Sequence, residues 1–165
     1  MSHTDHGVRA LAMRLIGLLL LCVSSTAFAD TTTAFDGKAL FNTHCAICHR
    51  ATGAGTPGLA PPLTNVPAAF IATPDGRRQL AITLLYGMYG DITVDDRHYN
   101  FKMPEFSRLD DQTLATLINY VSHELAHASE TDFLTISDLA AERMHPIEGA
   151  AVHAHRSIAL AAHRP

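Results

Sequence analysis

Apolar side chains recur at the spacing of an amphipathic helix between Asp75 and Tyr89. Leu80, Leu84 and Met88 fall on one face of this stretch, and Gly90 directly after it favours a helix end. The stretch is therefore predicted to be a helix that buries this face, and Met88 is interpreted as one of its core residues.

Two further helices are predicted, one on each side of this stretch. An earlier helix begins near Gly37 behind the N-cap Asp36, and its residues Gly37 and Phe41 share a face, which suits close crossing with another helix. A later helix follows the N-cap Asp110 and fades near Ala126; its buried stripe consists of Leu114, Leu117, Ile118 and Val121.

The segments between these helices read as loops and one hairpin. Residues 51–63 are rich in glycine and proline, which exclude helix, so an ordered loop is expected there. Ile92–Val94 and Arg97–Tyr99 flank two aspartates and predict a small hairpin, while residues 100–106 form an extended loop.

The last part of the chain changes character. Helices are predicted over 137–143 and 146–162, and no second cofactor motif follows. His153 and His155 could chelate a metal, but two residues apart on a helix they point in different directions. Residues 127–165 are therefore interpreted as a solvated, loosely packed extension.

The first 29 residues predict a cleaved export signal. Two arginines precede the nine apolar residues Leu15–Val23, and Ala27-Phe28-Ala29 offers a cleavage site. Nine apolar residues are too few to span a bilayer, so no transmembrane anchor is expected after cleavage. We expect a periplasmic protein that starts at Asp30.

Charge and length then limit the function. The full chain of 165 residues carries 12 basic and 16 acidic residues, for a net charge of −4. The predicted signal contains two arginines and one aspartate, so its loss leaves −5. Because no basic stripe is present to neutralise phosphates, nucleic acid is not expected as a partner.

The chemistry-bearing residues cluster at Cys45, Cys48 and His49. One helical turn places both thiols on the same face, where each can form a thioether to a haem vinyl group. A neutral imidazole next to them can then serve as a ligand to the iron.

Three other interpretations of this cluster compete with haem attachment. A structural zinc site needs four ligands, and no second cysteine cluster follows. A thioredoxin-like redox pair belongs at the start of a helix, whereas the residues before Cys45 read as helix. A disulfide between Cys45 and Cys48 would leave the adjoining His49 without a role.

A haem bound through one imidazole leaves the other side of its iron either open or filled by a second ligand. Met103 is favoured because Pro104 holds the preceding backbone extended and presents the thioether from a loop. His98 is the competitor and would give bis-imidazole ligation. Met88 is explained by its helix, and Met144 lies in the extension.

Taken together, these motifs resemble a class I cytochrome c over about residues 34–126. The likeness rests on the helix with Gly37 and Phe41, on Cys45-x-x-Cys48-His49, on Pro61-Pro62-Leu63, on Tyr99-Asn100-x-x-Met103-Pro104, and on the helix Leu114 to Tyr120. The resemblance implies an all-α fold of three to four helices around one covalently bound haem c, with the N-terminal and C-terminal helices crossing near the haem. Residues 30–126 would then be the cytochrome c domain and 127–165 a C-terminal extension.

The resemblance also implies roles for individual residues. Cys45 and Cys48 would form the thioethers, His49 would be the proximal ligand, and Met103 the distal ligand. Pro61 would support His49 through its carbonyl; the haem pocket would also include Tyr99 and Asn100. Two departures are that Ala60 stands where many members have glycine, and that the extension is not part of the common fold.

The function implied is that of a monohaem carrier rather than an enzyme. It would move one electron between a donor dehydrogenase or membrane complex and an acceptor, through transient contacts with redox protein partners. Residues 85–106 are also similar to cytochrome subunits of periplasmic dehydrogenases, so a subunit of a larger oxidoreductase is the alternative. A peroxidase or gas-binding protein is disfavoured because no distal His/Arg pair is recognisable.

Overall fold

The computed structural model describes residues 36–162, and the predicted export signal lies outside them. This part of the chain is mainly helical. Its elements are α1 Gly37–His44, α2 Ala46–His49, α3 Val66–Ile71, α4 Pro74–Tyr86, β1 Ile92–Val94, β2 Arg97–Tyr99, α5 Asp111–Tyr120, a π-helical turn Val121–Leu125, α6 Ile136–Arg143 and α7 Gly149–Ala162.

The crossing of α1 and α5 joins the two ends of the first 126 residues. The Asp36 carboxylate caps α1 by accepting hydrogen bonds from its first backbone N–H groups, at 2.9 and 3.2 Å. A Cβ atom on Gly37 would lie only 2.6 Å from the Tyr120 Cβ atom. Phe41 is fully buried, with its ring 5.7 Å from the Tyr120 ring. The predicted close crossing at Gly37 and Phe41 is confirmed.

The helix α4 is shorter than the sequence predicts. It ends at Tyr86, because Gly87 takes a positive φ of 69° and breaks the helical backbone. Met88 therefore lies outside the helix and pairs with Met103 as a β-bridge, through backbone hydrogen bonds of 3.2 and 2.9 Å. The interpretation of Met88 as a helix core residue is wrong.

The predicted hairpin is confirmed. Strands β1 and β2 are antiparallel, with Ile92 opposite Tyr99 and Val94 opposite Arg97. The two turn residues, Asp95 and Asp96, both have positive φ. Among residues other than glycine, aspartate is one of those that tolerate this conformation best.

The C-terminal extension packs tightly against the rest of the chain. Leu134 and Leu139 are essentially inaccessible to solvent and share a core cluster with Ile71, Ala81, Leu85, Leu114, Ala115 and Ile118. Asn119 fixes the extension where it enters the core, with hydrogen bonds of 2.9 Å to both the N–H and the C=O of Leu134. The prediction of a loosely packed tail is therefore wrong, because its apolar residues find partners far away in sequence.

The helix α7 lies against α4 and α3. It buries Val152 and Ala159 completely, and two of its histidines form hydrogen bonds to other parts of the chain. The His155 Nδ1–H donates to the Gln79 side-chain oxygen at 2.8 Å, and the His153 Nε2–H donates to the Asp91 carbonyl at 2.8 Å. No helix between residues 36 and 162 is long and apolar enough to cross a membrane.

Candidate functional site

A cavity of about 270 Å³ lies at the centre of the site. Its walls are mostly apolar and include Leu59, Pro62, Phe70, Ile92, Leu117 and Ile118. Among residues 36–162, neither aspartate nor glutamate lines it. Such a cavity suits a largely apolar ligand that a few polar groups hold in place.

Two thiols, one from the N-cap of α2 and one from within this short helix, open into the cavity. Cys45 and Cys48 are both partly buried and unbonded. Burial, aided by the nearby Cys48, raises the pKa of the Cys45 thiol to about 11. This thiol is protonated near neutral pH, unlike the thiolate of a redox-active cysteine pair.

The alternatives to a covalent cofactor find no support at these cysteines. The two thiols are not joined as a disulfide. Within the described part of the chain, no group of three or more His, Cys, Asp or Glu residues is arranged to hold a metal ion.

His49 is buried at the end of α2, with 8% of its surface exposed. Its Nδ1–H donates a hydrogen bond to the Pro61 carbonyl at 2.9 Å. Burial lowers the pKa of the imidazole, and this outweighs the opposite effect of the bond to Pro61. The ring is therefore neutral near pH 7, and the lone pair on Nε2 remains available to a metal ion.

Two methionines from later in the sequence also line the cavity. The β-bridge aligns Met88 and Met103, and both are partly buried. Gly87 permits this close approach, since a Cβ atom there would lie 2.5 Å from the Met103 carbonyl oxygen. Sequence reasoning missed Met88 because it extended α4 by one turn.

The other predicted site residues are placed as follows. Pro61 and Tyr99 line the cavity, and Tyr99 is 4% exposed on the inner face of β2. Asn100 is exposed and does not line it. His98, the competing iron ligand, is exposed on β2, where its Nδ1 lies 3.6 Å from the Asp91 carboxylate. It is not among the cavity residues.

Gln79 and Arg156 are among the lining residues that the sequence analysis did not identify. Gln79 on α4 is 1% exposed, and Arg156 reaches the cavity from α7. Gln79 could have been noticed as a polar residue on the inner side of a predicted helix. Nothing in the local sequence marks Arg156, because its position depends on the docking of α7.

Comparison with known proteins decides what this cavity is for. The family model described as cytochrome c matches residues 34–124, more than half of the chain. The chain belongs to the cytochrome c family. The matched region contains both cysteines, His49, both cavity methionines and the α1–α5 crossing. The chain is therefore a class I monohaem cytochrome c, and its fold is of the all-α class.

Two relatives match over the same region. Both are named cytochrome c-552; one is from Thermus thermophilus and the other from a particular strain of the same species. Each is 38% identical over 87 residues, which is 53% of this chain. The matched region covers 66% of the first relative and 58% of the second, so part of each relative has no counterpart in the match.

The cofactor of this cytochrome c is one covalently bound haem c, and the residues in the cavity fit it. Two thiols three residues apart suit attachment, and a buried neutral imidazole with one nitrogen available suits iron. The apolar walls suit a porphyrin. Residues 34–124 therefore belong to a family of electron-transfer haem proteins.

Proposed function

We propose that this cytochrome c is an exported, periplasmic carrier that moves one electron between a donor dehydrogenase or membrane complex and an acceptor. The observation that carries the proposal is the composition of the cavity, where two thiols, the His49 imidazole and two thioethers face mostly apolar walls. No carboxylate among residues 36–162 lines it.

We assign Cys45 and Cys48 to the thioether bonds, His49 to the proximal iron position and Met103 to the distal position. When bound, haem c supplies a one-electron ferric/ferrous couple. The Pro61 carbonyl fixes the orientation of the His49 ring and keeps its Nε2 lone pair available. A methionine sulfur favours ferrous iron and gives a relatively high reduction potential.

The sulfur of Met103 is preferred to that of Met88 because of the chain around it. Pro104 restrains the backbone at Met103 to an extended form, and Met88 has no such neighbour. The β-bridge holds the backbone of both methionines, with N–H to O=C distances of 2.9 and 3.2 Å. A methionine ligand whose backbone is restrained both by the following proline and by a β-bridge needs little rearrangement when the iron changes its charge. With both axial positions filled, electrons would pass through the haem edge.

We further propose a domain division for the whole chain. Residues 1–29 would be the export signal, 30–126 the cytochrome c domain and 127–165 an extension that completes its core. The burial of Leu134 and Leu139 supports the last assignment. Because the extension contributes buried residues to the core of the cytochrome c domain, it is free neither to act as a targeting signal nor to fold as a separate unit.

A redox titration of the exported protein tests the carrier function. The protein is produced in a host that attaches haem c, recovered from the periplasmic fraction and titrated while its visible spectrum is recorded. We expect one reversible one-electron transition and a mature chain that begins at Asp30. A cytoplasmic product, or a spectrum that added reductant and oxidant do not change, would contradict the proposal.

The oxidoreductase alternative is separated by size. A free carrier in a native extract elutes from a size-exclusion column at the mass of a single cytochrome chain. Co-elution of the haem with a dehydrogenase activity at a much larger mass would assign the protein to a complex instead.

A further inference from the structure

Arg156 is the feature that the carrier function does not yet explain. It lies on α7, in the extension beyond the family match of residues 34–124, and yet its side chain lines the haem cavity. The guanidinium stands 6.0 Å from the centre of the Phe70 ring, another cavity residue. The extension therefore brings a cation to the cofactor site.

The position of this cation is fixed by its neighbours on α7. The adjacent His155 is 8% exposed and donates its Nδ1–H to the Gln79 side-chain oxygen at 2.8 Å. The Gln79 amide in turn donates to the Val152 carbonyl at 3.3 Å and to the Thr83 hydroxyl at 3.0 Å. These buried bonds set the rotation of α7 against α4, and so they direct Arg156 to the cavity.

Arg156 has no carboxylate partner in the part of the chain that the structure describes. Burial lowers the pKa of its guanidinium, and no carboxylate acts against this effect. Within residues 36–162, no aspartate or glutamate forms an ion pair with Arg156. A partly buried cation that is paired only with an aromatic face is incompletely compensated, and a carboxylate would stabilise it further.

Haem c carries two propionate carboxylates, at the edge of the porphyrin opposite its vinyl groups. In this chain the cysteines that would take the vinyl groups are the N-cap of α2 and a residue within it, whereas Arg156 comes from α7, which packs on α3 and α4. The planar guanidinium can hold a carboxylate with two parallel hydrogen bonds. Lys102 also lines the cavity, but it is exposed, with its ammonium 5.8 Å from the centre of the Tyr89 ring.

We propose that Arg156 binds a haem propionate, and that this contact raises the reduction potential and ties the C-terminal extension to the cofactor. The inference rests on the proposed seating of haem c in this cavity and adds a residue from outside the family match. A cation next to the propionate offsets its negative charge, so the iron is reduced more easily.

Redox titration of holoprotein variants tests the electrostatic part. Arg156→Gln removes the charge, Arg156→Lys keeps it, and Arg108→Gln removes an equal charge from an exposed position outside the cavity. At a fixed applied potential, we expect Arg156→Gln to lower the ratio of reduced to oxidised protein by about threefold to tenfold; tenfold corresponds to about 59 mV for one electron. Arg156→Lys should retain most of the ratio, and Arg108→Gln nearly all of it.

Infrared spectroscopy tests the contact itself. Haem labelled with ¹³C at the propionate carboxyls allows their stretching band to be identified in reduced-minus-oxidised difference spectra. We expect this band to shift in Arg156→Gln and Arg156→Lys but not in Arg108→Gln. The lysine variant keeps the charge and much of the side chain, so it decides the question if the glutamine variant yields no holoprotein.

The outcomes separate this inference from the proposed function. If the labelled band and the potential are the same in wild type, Arg156→Lys and Arg156→Gln while each protein still takes up one electron, the propionate contact is refuted and the carrier function stands. If the wild-type protein shows no one-electron transition, the proposed function itself fails.

Discussion

The choice between two methionine sulfurs is made by the residues next to them. Met88 and Met103 share a β-bridge and both reach the cavity, so burial alone does not distinguish them. Met103 is followed by Pro104. Its carbonyl oxygen packs so closely against Gly87 that a side chain at position 87 would have no room. We attribute the distal position to Met103 because its backbone is the more restrained of the two.

Substitution of each methionine by alanine tests this assignment. In ferric Met103→Ala we expect loss of the sulfur-to-iron absorption band, binding of added imidazole and a lower reduction potential. Met88→Ala, the matched control, should keep the absorption band and lose only the packing contacts of the Met88 side chain in the cavity. A band that survives in Met103→Ala and vanishes in Met88→Ala would reverse the assignment.

The loop that supports His49 is shaped by Gly55. Its N–H donates to the His49 carbonyl at 2.9 Å, and a Cβ atom on it would lie 2.6 Å from the Ala60 carbonyl oxygen. Gly55 also has a positive φ of 74°, which alanine adopts only with strain. The loop therefore needs glycine at this position for two separate reasons.

Gly55→Ala is expected to destabilise the holoprotein by more than Gly58→Ala. Gly58 has almost the same φ, 75°, but a Cβ atom there meets nothing within 4 Å, so it isolates the backbone strain. That strain costs about 1–2 kcal/mol in each variant. Only Gly55→Ala should also move the Pro61 carbonyl, and a proton NMR signal of the His49 Nδ1–H would report it. Equal losses in the two variants would show that the contact is unimportant.

Residue roles could be read from the sequence where they depend on near neighbours. The spacing of Cys45, Cys48 and His49 lies within one turn, so local geometry was sufficient to predict that they share one site. Met88 was misassigned because apolar periodicity continued past Gly87, where the backbone leaves the helix. Arg156 could not be predicted, since its role depends on a helix contact far away in sequence.

At the scale of elements, the crossing of α1 and α5 closes the fold around the cavity. The α5 residues Leu117 and Ile118 line the cavity, and α1 leads directly into Cys45. Gly37 lets the two backbones approach at Tyr120. A change in this crossing therefore acts on both the fold and the haem site.

Gly37→Ala tests the crossing. Alanine has the higher helix propensity by about 1 kcal/mol, but its Cβ would meet the Tyr120 Cβ at 2.6 Å, and that atom is fixed to the backbone of α5. The cost of pushing the two helices apart should exceed the gain in helix propensity, so the free energy of unfolding measured in urea should fall by about 1–3 kcal/mol. The neighbouring exposed substitution Lys38→Ala should change stability by less than about 0.5 kcal/mol. A stabilised Gly37→Ala protein would show that the crossing is not tight.

Elements with their own start signals were predicted well. Asp36 and Asp110 cap α1 and α5 as expected, and the hairpin forms on two aspartates. The helix α3, Val66–Ile71, was not predicted, because six residues are too few to show a helical period. Short elements of this kind depend on the core around them.

At the scale of the whole molecule, the extension is part of the cytochrome core. Arg143 on α6 connects to the start of α5 through Asp111 at 2.5 Å, the Ser107 carbonyl at 2.7 Å and the Leu109 carbonyl. Arg78 and Glu142 add a partly exposed ion pair at 3.0 Å. We expect residues 36–162 to unfold as one unit.

Leu139→Ala tests this unity. Leu139 is fully buried, so the substitution should remove about 2–5 kcal/mol from the free energy of unfolding. Urea unfolding followed at the haem and by far-UV circular dichroism should shift together in a single transition. Ile136→Ala, in the same helix but 47% exposed, is the control and should change little. Separate haem and helix transitions would mean that the extension is an independent unit.

The burial of the extension was not predictable from its own residues. The partners of Leu134 and Leu139 on α4 and α5 come from other parts of the chain. The two histidines of α7 also gave no indication of their roles, since Gln79 and the Asp91 carbonyl determine them. Long-range packing of this kind is visible only in the folded chain.

Mass spectrometry of protease digests from the exported protein tests the central claim most directly, namely that haem is bound to this chain through Cys45 and Cys48. The account predicts one haem on the single peptide that contains both cysteines and His49, and no haem in a Cys45→Ala/Cys48→Ala double variant. Recovery of that peptide from the wild-type protein with two free thiols, in a host that attaches haem to other cytochromes, would contradict it.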